Sequence, residues 1–84
     1  MKISEFEERV EELGYWVWHN DTANELSIMK DIDAIYDTEM VLSISTVEVE
    51  AIRVHRHLFK LDKKDREQLL LLAYALADTD IGER

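Results

Sequence analysis

The chain has 84 residues, with 19 Asp+Glu against 10 Lys+Arg, three His, no Cys, no Pro and two Gly, for a net charge of −9. That length suits one small domain over residues 1–84. The missing cysteines exclude a disulfide scaffold or a cysteine-bearing zinc site, and the longest apolar run, Leu69–Ala77, is about half a membrane span.

Residues 4–13 predict a helix. Ser4 and Glu7 have the S-x-x-E spacing of a capping box. Glu5, Glu7 and Glu8 suit the positive end of a helix dipole, and Phe6, Val10 and Leu13 make one apolar stripe. Glu5 and Arg9 form a favourable i, i+4 pair, and Gly14 follows as a left-handed C-cap. Tyr15–His19 is aromatic and β-branched, which favours a strand. Alternation puts Tyr15, Val17 and His19 on one side and Trp16 and Trp18 on the other. Asn20–Asn24 is a turn by composition, and Glu25–Lys30 is the hairpin partner, with Leu26 and Ile28 on one face. Asp31–Asp37 is either a tight turn leading into a short strand or one helical turn. Met40–Thr46 alternates as a strand. Val47–Glu50 alternates again, so this strand either runs long or bends. Residues 51–61 fit a helical stripe of Ala51, Val54, Leu58 and Leu61 and an extended segment almost equally.

Residues 63–77 predict the last helix, with Asp62 as N-cap and Asp65 as its short box partner. Leu69, Leu72, Ala73 and Leu76 form one stripe; Leu70, Tyr74 and Ala77 form a neighbouring one. This apolar arc is wider than packing on a sheet requires. Either the helix is central, or its spare side meets a second copy through Leu69–Leu76. Asp78 and Asp80 oppose the helix dipole at its end, and Asp80 with Glu83 suits a short final turn. A helix, a meander of three to four strands and a C-terminal helix make an α+β fold, with helices on one face of an antiparallel sheet.

Charge is unevenly spread. Residues 1–52 hold thirteen acids and three bases, 53–66 six bases and two acids, and 67–84 four acids and one base. The expected surface is negative with one basic strip, which pairs internally with the glutamates of the first helix. Such a field steers a cationic partner and fades with salt; it also keeps a small protein soluble. It repels duplex phosphates, so direct nucleic-acid binding is not expected. The opening residues carry no secretory pattern, and the expected setting is the cytoplasm, with no membrane association.

Catalytic sets are incomplete. His55 and His57 form an H-x-H pair without an identifiable third ligand, and solvated histidines are the favoured reading. His19 beside Asp21 lacks a nucleophile. The only glycines, Gly14 and Gly82, form no phosphate loop, and no D-x-D-x-D-G calcium loop occurs. Neither enzymatic activity nor a cofactor is expected. Core packing is favoured for Trp16 and Trp18, with a protein-contact hot spot as the alternative. The candidate partner-binding residues are Asp31, Asp33, Asp37 and Glu39, clustered between predicted strands. Glu48 and Glu50, on one strand face, extend the row.

The opening Met1-Lys2-Ile3-Ser4-Glu5-Phe6-Glu7-Glu8 with Leu13-Gly14-Tyr15, and the closing stretch Gln68–Arg84, resemble small acidic accessory proteins of tailed phages and prophages of Gram-positive bacteria. The matched residues are caps and core positions. In size, acidity and helix–sheet–helix plan the chain is also similar to small anti-CRISPR proteins that block type II RNA-guided DNA nucleases. The resemblance implies a phage-encoded inhibitor acting by acidic DNA mimicry in the basic channel of a host defence nuclease. Arginines there would meet carboxylates as they meet phosphates. The alternative is a self-associating accessory or structural module.

Overall fold

The computed structural model describes residues 1–31 and 38–84. Helix α1 (Ile3–Glu12) leads into strands β1 (Trp16–Asn20), β2 (Glu25–Asp31), β3 (Thr38–Ser45) and β4 (Ile52–Val54). A 3-10 helix over Arg56–Lys60, helix α2 (Lys63–Ala77) and a 3-10 turn over Ile81–Glu83 complete the order. The strands form one antiparallel sheet in the order β1-β2-β3-β4. The fold is α+β, as the segregation of helices and strands predicts. Of the Asp31–Asp37 stretch only Asp31 is described, at the end of β2; the turn-or-helix alternative falls outside the described residues.

Alternation sorts the sheet into two faces. Leu26 and Ile28 of β2 stand opposite Ile44 and Leu42 of β3. All four are buried with Val41, Phe6, Val10, Leu69, Ala73 and Leu76 in one cluster beneath the two helices. A register shift at Ile28/Met29 leaves Val41 as the extra residue of a β-bulge, which turns two neighbouring β3 side chains, Val41 and Leu42, into the core. The opposite face carries Trp16 and Trp18, paired with Met29 and Ser27, and Arg53, paired with Ser43. The tryptophans therefore lie on the side away from the helices, and Trp18 is 41% exposed, contrary to the core expectation.

The ends of the helices are set by long-range contacts as well as local ones. Gly14 has φ +93°, and the N–H groups of Gly14 and Tyr15 donate to Glu11 and Val10 carbonyls, the Schellman closure that a glycine permits. The Ser4 capping box does not form. Lys2 is the N-cap and makes no side-chain cap, while the Ile3 N–H donates instead to the Arg84 carbonyl at 2.8 Å. In α2 the N-cap half of the box holds: Asp62 Oδ1 accepts the Asp65 N–H at 2.8 Å, while the Asp65 carboxylate turns to Tyr15 instead of back to the Asp62 N–H. The Tyr15 hydroxyl donates to Asp65 Oδ2 at 2.7 Å. Burial, then the bond and charge of Asp65, push the Tyr15 pKa above its ordinary value.

Two stretches that the sequence leaves open resolve here. Val47–Glu50 takes the bend rather than continuing the strand, so Glu48 and Glu50 share no strand face. Ser45 Oγ accepts the N–H groups of Val47 and Glu48, a side-chain turn that competes with the ladder, and Glu50 adopts φ +64°. Residues 51–61 divide between the two alternatives, extended at Ile52–Val54 and 3-10 at Arg56–Lys60. In α2 the buried set is Leu69, Ala73, Leu76 and Ala77. Tyr74, expected in an apolar stripe, is 61% exposed. The acids after α2 are offset by Arg84, whose guanidinium donates to the carbonyls of Ala77, Thr79 and Ser45.

Candidate functional site

The predicted acidic row separates into parts. Asp31 pairs in register with Thr38 at one end of β2, and Glu25 with Ser45 at the other. Glu48 and Glu50 follow Ser45, so a seven-residue strand, about 20 Å long, separates them from Asp31 and Glu39. Asp33 and Asp37 lie outside the described residues. Asp31 Oδ1 accepts the Trp16 indole N–H at 3.0 Å, and Glu39 Oε2 lies 3.0 Å from His57 Nδ1. Both carboxylates are engaged within the fold.

The histidines are dispersed as well. His19 meets Glu7 of α1, not Asp21. His57 turns to Glu39, while His55 Nε2 lies 3.1 Å from Ser43 Oγ. Ser43 in turn shares a 2.9 Å hydrogen bond with Ser27. This Ser27–Ser43–His55 chain crosses from β2 through β3 to the residue beyond β4. Burial, then the Arg53 charge, lower the His55 pKa, and Glu25 partly offsets them. Ser43 and His55 stand at the spacing of a nucleophile and its base, but Ser43 is 1% exposed. A substrate carbonyl has no approach to that hydroxyl, and the chain serves to satisfy buried polar groups. Among the described residues no group of three or more His, Asp or Glu could hold a metal ion.

The basic strip does not neutralise the first helix. Arg53 bonds Glu25 at 2.8 Å, and Lys63 stands 3.9 Å from Glu67. Of the glutamates on α1, Glu7 alone has an ion-pair partner among the described residues, His19. Glu5, Glu8, Glu11 and Glu12 are exposed. Their place follows from helical period: Phe6 and Val10 face the core, which leaves the intervening positions to solvent. Between α1 and α2 runs a groove of about 740 Å³, lined by Glu5, Glu8, Arg9, Glu12, Leu13, Gln68, Leu71 and Leu72. The acids and the wide leucine arc are separate features of the sequence. Their adjacency depends on how the helices pack and has no local signal.

Among the described residues no helix is long and apolar enough to cross a membrane. No protein-family model matches the chain, and neither curated proteins nor solved structures yield a match.

Proposed function

We propose that the protein works by docking, with the outer carboxylates of α1 engaging a cationic surface of a partner protein. The observation that carries this reading is the set of exposed glutamates Glu5, Glu8, Glu11 and Glu12, none with an ion-pair partner among the described residues. A row of unanswered charges on one helix makes a local negative field, which steers association and selects partners of opposite sign. The same field opposes nucleic acid as the direct ligand.

The resemblance to phage accessory proteins supplies the finer form of the proposal. The partner is a basic host defence protein in the bacterial cytoplasm, and the most specific candidate is a type II RNA-guided nuclease. Its nucleic-acid channel is lined with cations, and arginines there would bond carboxylates bidentately. The test adds the protein to target-cleavage reactions of a panel of such nucleases, with gel filtration of the mixtures. Inhibition and a complex with at least one nuclease, both lost in Glu8→Lys/Glu12→Lys, support the finer form. Full cleavage and no complex across the panel remove it.

A second reading, self-association through α2, is favoured by Leu71 and Tyr74, which are 70% and 61% exposed on the outer side of that helix. Sedimentation over a wide concentration range distinguishes it: a dimer that Leu71→Asp dissociates supports it, and a monomer throughout excludes it.

A further inference from the structure

The geometry points to the α1–α2 groove as the seat of a cationic amphipathic helix supplied by the partner. This inference rests on the docking reading and narrows it to one place and one ligand shape. Glu5, Glu8 and Glu12 lie at i, i+3 and i+7 of α1 and form one wall of the groove. Their spacing covers about 10 Å of helix axis. Leu71 and Leu72 contribute the apolar side, with Leu13 beside them. Leu71 is 70% exposed, more than any other large hydrophobic side chain described.

The pairing of a charged wall with an apolar wall selects the ligand. A purely basic loop would satisfy the glutamates and leave Leu71 in water. A purely apolar helix would bury Leu71 and strip water from carboxylates without answering them. An extended peptide gains most from a strand edge, and two helices offer none. A helix with leucines along one stripe and Lys or Arg beside it meets both walls at once, its cations recurring at the same period as the glutamates. Arg9 is the one cation in the lining, so three carboxylates against one guanidinium keep the groove negative.

The probe is a peptide of about four helical turns, with a leucine stripe flanked by lysines. A scrambled peptide of equal composition, its stripe broken, is the comparison. Each is titrated into nitrogen-15-labelled protein, and affinities are read by fluorescence anisotropy. The striped peptide is expected to bind about tenfold more tightly, the value of one well-buried leucine contact, and to shift the amide signals of Glu8, Glu12, Leu71 and Leu72. Leu71→Ser should remove that advantage with an unchanged circular dichroism spectrum. Tyr74→Ser, on the next turn of α2 and outside the groove lining, should leave affinity within about twofold. Equal binding of the two peptides would overturn the groove assignment and leave docking through the α1 carboxylates standing, whereas shifts concentrated at Asp31, Glu39 or Glu48 would overturn the groove and the α1 docking face together. Binding of neither peptide at low salt would overturn both.

Discussion

The acids of α1 and the acids of the sheet carry the same charge and occupy different physical situations. Along the sheet Glu25 meets Arg53, Asp31 takes the Trp16 indole N–H, and Glu39 faces His57. On α1 the exposed Glu5, Glu8, Glu11 and Glu12 have no such partner among the described residues. Acid content therefore does not locate a binding surface. A carboxylate bonded inside the fold has exchanged water for a protein donor and must lose that donor before it meets a partner. One still in water gives up only hydration, which is why the docking proposal rests on the exposed helix.

Substitutions can break or sharpen this contrast, beginning with the largest effect. Arg84→Ala removes three hydrogen bonds that join the end of α2 to Ser45, and the expected loss is about 2–3 kcal/mol in urea unfolding. Ser43→Ala strands the Ser27 hydroxyl and His55 Nε2, with an expected loss of about 1–3 kcal/mol. Glu25→Gln weakens one exposed pair with Arg53, for about 0.2–1 kcal/mol. By contrast, Glu5→Gln/Glu8→Gln/Glu12→Gln should leave stability within about 0.5 kcal/mol, because none of the three has an ion-pair partner to lose among the described residues and relief of their mutual repulsion offsets the dipole interaction of the first turn. A large loss in that triple variant would show that α1 acids hold the fold and would erase the distinction.

The pH dependence of stability separates the sheet side further. The folded state lowers the His55 pKa, so its contribution is complete above the unfolded value of about 6.5. It declines as pH falls from there through the folded pKa. The folded state raises that of Tyr15, so its contribution is complete below about 10 and declines as pH rises beyond it. Urea midpoints measured across pH should fall on both limbs. His55→Asn should flatten the acid limb and Tyr15→Phe the alkaline one.

Local chemistry was legible in the sequence, and closure was not. Asp62 with Asp65, Gly14, and the alternation of Leu26, Ile28, Leu42 and Ile44 each act over a few residues, so composition and period suffice to place them. Ser4 and Glu7 have the same local signature as a working cap, yet the Arg84 carbonyl, 81 positions away by sequence number, takes the Ile3 N–H. Val47–Glu50 alternates like a strand, but the Ser45 hydroxyl captures the following N–H groups. The Ser27–Ser43–His55 chain exists only once β2 and β3 are in register. The candidate site shows the same division. Counting acids identified an electronegative protein, but which carboxylates have internal partners depends on contacts across the fold.

The most direct measurement compares two neutralised proteins against the leucine-striped lysine peptide at low salt, by fluorescence anisotropy. One carries Glu5→Gln/Glu8→Gln/Glu12→Gln; the other carries Asp31→Asn/Glu39→Gln/Glu48→Gln. Docking through α1 predicts about a tenfold loss of affinity in the first and less than about a twofold change in the second. Equal losses, or a larger loss in the second protein, would contradict it.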